Sequence, residues 1–344
     1  SGAIEIVGFL RDRSSRETGP QTNIAGGVQG PVFSGEFSGP VAQGGDANDF
    51  RGARGTIYKP TYNYNFPKPE DIPSIPFIPD PPSNFTGRYE ELKELQAQFD
   101  AGKTIIALHG FGGVGKTALS LKLVESIKDR YPDGQIMVDM RGTTNPISPM
   151  EAMGSVIRSY HREEKIPDSE AETRQRYLEV LKDKRALLLL DNALDDKQVS
   201  RLVPPKGCGL IITSRKTITI PGPFFFFKMD LDVLKPGEAL ELLLSVCCPA
   251  GGPQKSTRDD PAWPEIARLC GFLPLALLAA ASYLANSDDV SPKEYAEALA
   301  DERSRLEMIG EQGVDMSVEA SLALSFQKLE PKLQQTFLDL SAFP

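Results

Sequence analysis

The chain has 344 residues, with 40% hydrophobic and 25% charged side chains, so two or three globular domains of ordinary composition are expected. A net charge of −9 argues against the global basic footprint that nucleic-acid binding usually leaves. No apolar run approaches the roughly 20 residues of a membrane helix. Cys208, Cys247, Cys248 and Cys270 lack metal-ligand or C-x-x-C spacing, which suits buried thiols in a reducing cytosol.

Residues 1–10 lack the basic start and apolar core of a secretion signal, so a cytoplasmic protein is expected. Residues 1–58 form a low-complexity, glycine-rich segment in which Gly-Pro-Val recurs at Gly30 and Gly39. Two readings stay open: a disordered linker, or amyloid-like β-arches that stack on copies of themselves. Residues 59–83, with Pro67, Pro69, Pro73, Pro76, Pro79, Pro81 and Pro82, read as an extended polyproline linker. A helix is predicted to follow from Asn84, with Leu92, Leu95 and Phe99 on one face.

The most informative stretch is 104–117. An apolar run, Thr104 to His109, has the length and β-branching of a buried strand. It runs into Gly110-Phe-Gly-Gly-Val-Gly-Lys-Thr117, which fits G-x-x-x-x-G-K-[ST], and then into the helix-forming Ala118-Leu-Ser-Leu. Strand, glycine loop and helix are the context that makes this pattern a phosphate site. Glycine permits the backbone turns that aim successive N–H groups at one anion, and the helix N-terminus adds partial positive charge. Lys116 is expected to reach the β- and γ-phosphates, and Thr117 to ligate Mg²⁺, so the segment should bind ATP or ADP. His109 reads as a packed side chain.

Beyond the loop, strands are predicted at 135–140, 185–192 and 208–215, separated by helical patterns at about 148–160 and 170–184. Four consecutive leucines before Asp191 suit a strand buried on both faces. The expected fold class is therefore α/β, a doubly wound parallel sheet of the P-loop NTPase type, with ligands at the carboxyl ends of the strands. Asp191 stands where such proteins place the Mg²⁺-linked carboxylate, although an aspartate after a strand also suits a turn. Asn192 occupies the place of a water-activating acid, and an amide cannot take a proton, so hydrolysis should be slow. Arg215 closes its strand either as a γ-phosphate contact or as a surface arginine. From about 236 the pattern is helical: Pro236–Leu244, Trp263–Cys270, Leu275–Leu284, Pro292–Met308, Ser317–Leu329 and Pro331–Leu340, with Trp263 as a packing residue.

These stretches resemble the NB-ARC class of STAND signal-transduction ATPases: Phe85-Thr86-Gly87-Arg88, His109 to Thr117, Leu187 to Asn192, Ile211 to Arg215, and Gly271-Phe-Leu-Pro274-Leu275. The resemblance implies a nucleotide-binding domain at 84–232, a helical domain at 233–312 and the start of a winged-helix domain at 313–344. It implies ATP/ADP contacts from Phe85, Thr86, Gly87, Arg88, Gly110, Gly112, Gly113, Val114, Gly115, Lys116, Thr117, Ala118, Arg215 and Pro274. Phe85 to Arg88 would flank adenine and ribose, Pro274 would press on the base from the helical domain, and Lys116, Asp191 and Arg215 would serve any turnover. The implied function is a switch that is closed with ADP, then exchanges nucleotide, self-associates and clusters an N-terminal effector. The switch would answer a ligand sensed C-terminally, in a part this chain lacks. Two other readings are an NB-ARC transcriptional regulator, tested by salt-sensitive DNA binding, and a conventional P-loop kinase or ATPase, tested by turnover with a small acceptor.

Overall fold

A computed structural model describes residues 78–220, 226–249, 256–287, 289–308, 314–327, 329 and 331–340. The glycine-rich segment and most of the proline-rich stretch lie outside these residues, as does the choice between their two readings.

Five strands form one parallel sheet in the order β2-β3-β4-β1-β5: β1 Ile105–His109, β2 Gln135–Asp139, β3 Leu187–Ala193, β4 Gly209–Ser214 and β5 Phe226–Asp230. Successive side chains of a strand point to opposite faces. Ile105 and Ala107 therefore join Leu188, Leu190, Leu210 and Ile212 under α3 (Pro149–Tyr160) and α4 (Glu170–Leu181). Ile106 and Leu108 join Leu187, Leu189 and Ile211 under α1 (Tyr89–Asp100) and α2 (Lys116–Ile127). With both faces covered, the strands can be continuously apolar, which is why the leucine run of β3 is tolerated. The expected α/β P-loop fold is thus the observed one. β5, unforeseen in the sequence, completes it.

A short helix α5 (Asp196–Ser200) follows β3, and the rest is helical: α6 (Pro236–Cys247), α7 (Ala262–Leu269), α8 (Pro274–Asn286), α9 (Pro292–Met308), α10 (Val314–Gln327) and α11 (Pro331–Leu340). This bundle shares its core with the α2 face of the sheet through Val114, Leu231, Leu234 and Leu273. Trp263 is fully buried there and all four cysteines are buried. α10 packs against α8 and α9, giving Val318 and Ala320 to the same core. Among the described residues no helix is long and apolar enough to cross a membrane.

Several expected helix ends shift by a few residues, the first helix the most. The first helix starts at Tyr89, not Asn84, because Gly87 and Arg88 take left-handed backbone angles (φ 72° and 61°) and turn the chain before it. A Cβ on Gly87 would also lie 2.8 Å from the Glu238 side chain, so this turn beside α6 requires glycine.

Candidate functional site

The glycine loop joins the carboxyl end of β1 to the N-terminus of α2. Gly115 caps α2 with φ 95°, no side chain caps the helix, and its first N–H groups face the loop. Gly110 has φ 155°, and a Cβ there would stand 2.5 Å from the Leu231 carbonyl oxygen, so no larger residue fits.

Lys116 folds back over this loop, its Nζ donating to the carbonyls of Gly110 (2.8 Å) and Phe111 (2.7 Å). Burial and then the nearby Arg215 charge lower its pKa to about 8, with Asp191 opposing. An ammonium held in this way favours whatever brings negative charge to it.

Asp191 is the hub of a hydroxyl network. Thr117 Oγ1 donates to its Oδ1 (2.8 Å) and lies 3.1 Å from Oδ2, and Thr213 Oγ1 donates to Oδ1 (2.6 Å). The backbone N–H of Asn192 in turn donates to Thr213 Oγ1 at 2.8 Å. The β3–β4 register shifts between Leu190 and Ala193, and Asn192 is left-handed with φ 56°. This irregularity at the strand end turns Asp191 toward α2, as bulges near functional sites often do. The Asn192 side chain faces elsewhere, its Nδ2 donating to Thr143 Oγ1 at 3.2 Å. One carboxylate and one hydroxyl, hard oxygens 2.8 Å apart beside the loop, fit Mg²⁺, which takes few protein ligands and completes its shell with phosphate oxygens and water.

The guanidinium of Arg215 lies over the loop: a Cβ on Gly112 would be 3.2 Å from its Cζ. His109, half-buried rather than packed away, reaches the Asp230 carboxylate with Nδ1 (2.8 Å) and the Arg215 carbonyl with Nε2 (3.0 Å). The His109 hydrogen bond, with a second from Lys228, holds the exposed Asp230 carboxyl below its ordinary range.

Between the sheet domain and the bundle lies a small, largely apolar pocket of about 70 Å³. Phe85, Thr86 and Arg88 line one wall, Val114, Gly115 and Ala118 the loop side, and Pro274 with Leu242 and Leu278 the bundle side. α8 presses directly on the loop: the Leu275 N–H donates to the Gly113 carbonyl at 3.2 Å. Arg88 lines this pocket, but its side chain acts as a tie. It is buried, with one amino group donating to the carbonyls of Val114 (3.1 Å) and Asp232 and the other paired to Glu91 at 2.9 Å. The Arg88 N–H also donates to Glu238 Oε1 (2.9 Å), whose other oxygen accepts the Lys235 N–H (3.1 Å).

Every expected site residue therefore lies in this one region, around either the loop or the pocket. Sequence reasoning missed Thr213, Leu275 and Glu238, and it saw His109 only as packing. Thr213 was detectable as a hydroxyl closing an otherwise apolar buried strand; the others depend on the domains meeting.

The fold and the loop define a P-loop nucleoside triphosphatase. Residues 88–251 match the model of the NB-ARC domain. Regulatory protein AfsR of Streptomyces coelicolor is 36% identical over 273 residues, covering 76% of this chain and 27% of that protein. Disease resistance protein ADR1 of Arabidopsis thaliana is 24% identical over 280 residues, covering 80% and 32%. Among solved structures, a STAND protein with a tetratricopeptide repeat sensor from Pyrococcus horikoshii aligns with a TM-score of 0.41 at 18% identity, covering 79% of this chain and 41% of the other. The chain belongs to the NB-ARC family of P-loop ATPases, and so to the nucleotide-binding proteins. It spans about a quarter of the AfsR relatives it matches.

Proposed function

We propose that residues 84–340 are the nucleotide-operated switch of a larger regulatory protein, closed around ADP and opened by exchange for ATP. The observation that carries this reading is the position of the pocket. Its walls come from the 84–88 stretch, the glycine loop and α8, so a base seated there contacts both domains while its phosphates run along the loop. Pro274 closes the pocket from the bundle side, and the loop N–H groups with Lys116 hold the phosphates. Thr117 and Asp191 hold Mg²⁺, which neutralises phosphate charge when bound. Arg215, over Gly112, meets the terminal phosphate and separates triphosphate from diphosphate. Contacts that differ between the two nucleotides are what shift a two-state equilibrium. Asn192, an amide turned toward Thr143, supplies no base for water, which supports a slow hydrolase and long-lived bound states.

The test is nucleotide-dependent hydrodynamics. With ADP and Mg²⁺ the chain should be a compact monomer by light scattering and small-angle scattering. With a non-hydrolysable ATP analogue it should expand and self-associate. Identical mass and radius in both nucleotides would contradict the switch.

A second reading, a role in transcription, draws on the 36% identity to a protein named a regulatory protein. DNA binding by this chain that weakens steeply with salt would support it.

A further inference from the structure

His109 ends β1 in register with Ser214 of β4 on one side and Asp230 of β5 on the other. Its two ring nitrogens reach the Asp230 carboxylate at 2.8 Å and the Arg215 carbonyl at 3.0 Å. Both partners accept hydrogen bonds and neither can donate. The two contacts can therefore be hydrogen bonds together only when both ring nitrogens carry hydrogen, as in the imidazolium. In either neutral tautomer one nitrogen would face an acceptor lone pair to lone pair. The charged groups around the ring are Asp230 and Lys228 of β5, paired with each other at 3.2 Å, and Arg215 beyond β4. Lys116 of α2 lies further on and senses the Arg215 charge. The carbonyl that His109 holds belongs to the residue whose guanidinium lies over Gly112.

We propose that His109 is a positioning residue for Arg215: protonated, it ties the Arg215 backbone to Asp230, and on losing its proton it releases that segment. Because this rests on Arg215 reading the terminal phosphate, the consequence falls on selectivity. Preference for triphosphate over diphosphate is greatest when both ring nitrogens carry hydrogen and declines as rising pH removes one of them. Asp230 sets the proton requirement. With an amide in its place, the neutral ring can accept from that amide through Nδ1 and still donate to the Arg215 carbonyl through Nε2.

The experiment measures Kd for ATPγS and for ADP, with Mg²⁺, from mildly acidic to mildly alkaline pH. The proteins are wild type, Lys116→Ala, His109→Ala, Asp230→Asn, Arg215→Ala and the His109→Ala/Arg215→Ala double variant. Because Lys116 senses the Arg215 charge, its titration and that of the ligands cancel only between proteins that share residue 215, and each His109→Ala effect is read within such a pair. His109→Ala should cost about tenfold in the ATPγS-to-ADP preference at low pH, the size of one charge-assisted hydrogen bond, and nothing at high pH. Asp230→Asn should keep the low-pH preference throughout. In the Arg215→Ala background His109→Ala should change nothing more. Wild-type selectivity in His109→Ala at every pH, or an equal His109→Ala penalty without Arg215, overturns the inference. Asp230→Asn tests the same point should His109→Ala fold poorly; a wild-type pH profile in that variant also overturns it. Binding that Lys116→Ala abolishes, with pH-independent selectivity, overturns the inference alone. No binding by the wild type overturns the nucleotide reading and the inference with it.

Discussion

The Leu275 N–H donates to the Gly113 carbonyl at 3.2 Å, so the first turn of α8 rests on the glycine loop itself. Loop and bundle are thereby in direct contact. Any ligand that reshapes the loop acts on the bundle without an intermediary.

That contact is open to a one-methyl test. A Cβ on Gly113 would stand 2.8 Å from Leu275 Cβ, and Gly113 has φ 73°. Gly113→Ala should push α8 off the loop and speed release of a fluorescent ADP analogue by about tenfold, given a strain of the order of 1–2 kcal/mol. An unchanged release rate, measured by displacement, would mean that the contact does not hold the clamp shut.

Lys116→Ala should weaken ATP and ADP binding by roughly a hundredfold, the loss of charge-assisted bonds to phosphate. The pH dependence has a definite sign. In the empty protein Lys116 has its pKa lowered to about 8, and bound phosphate favours the charged form. Affinity should therefore fall as pH rises past about 8, with proton uptake on binding there. Calorimetry in buffers of different ionisation enthalpy reads that uptake directly, and Lys116→Ala should abolish it.

Thr213→Val removes a donor to Asp191 and the acceptor for the Asn192 N–H in one step. Leaving these groups unmatched should destabilise the fold by about 1–3 kcal/mol in denaturant unfolding. It should also weaken the Mg²⁺ enhancement of nucleotide binding, because Asp191 loses its orientation. Thr117→Ala should affect the Mg²⁺ term more and stability less, since the Asn192–Thr213–Asp191 links remain.

Arg88 ties the loop carbonyl of Val114 to the Asp232 carbonyl in the segment leading into α6. Arg88→Met leaves those carbonyls and Glu91 without their buried donor, and about 3 kcal/mol of stability should go with it. Arg88→Lys should not rescue it, because a point charge cannot serve three acceptors in a fork. Full rescue by lysine in thermal unfolding would show that the tie is electrostatic only.

Asn192→Asp places a proton acceptor beside the Asp191 hub. Hydrolysis of ATP, followed by phosphate release, should rise by about tenfold or more, since general bases typically contribute 10²–10⁴. No rise would show that the Thr143-facing orientation of residue 192 keeps it out of the reaction.

The loop, the doubly buried strands and the helical run from Pro236 were legible because each is a local pattern: a glycine spacing, apolar runs of strand length and helical periodicity. Lys116, Thr117 and Asp191 followed from that order of elements alone. β5 escaped although Pro221-Gly222-Pro223 punctuates the chain before it: at five residues, Phe226 to Asp230 is short enough that its apolar positions suit a strand or a loop packed on the core equally. The Asp191–Thr213 bond depends on the pairing of β3 with β4, and the Asn192 N–H bond to Thr213 on the irregularity in it, which neither strand encodes by itself. Arg88 lines the pocket, as the resemblance implies, and what no local pattern reveals is that its guanidinium also holds carbonyls from two distant segments. The His109 contacts likewise exist only because β5 lies beside β1.

The central claim, a clamp closed on diphosphate, is most directly tested by denaturing the purified chain and identifying what it releases by chromatography. The account predicts ADP in a one-to-one ratio with protein, lost in Lys116→Ala. A site that is empty on purification and turns over added ATP rapidly would contradict it.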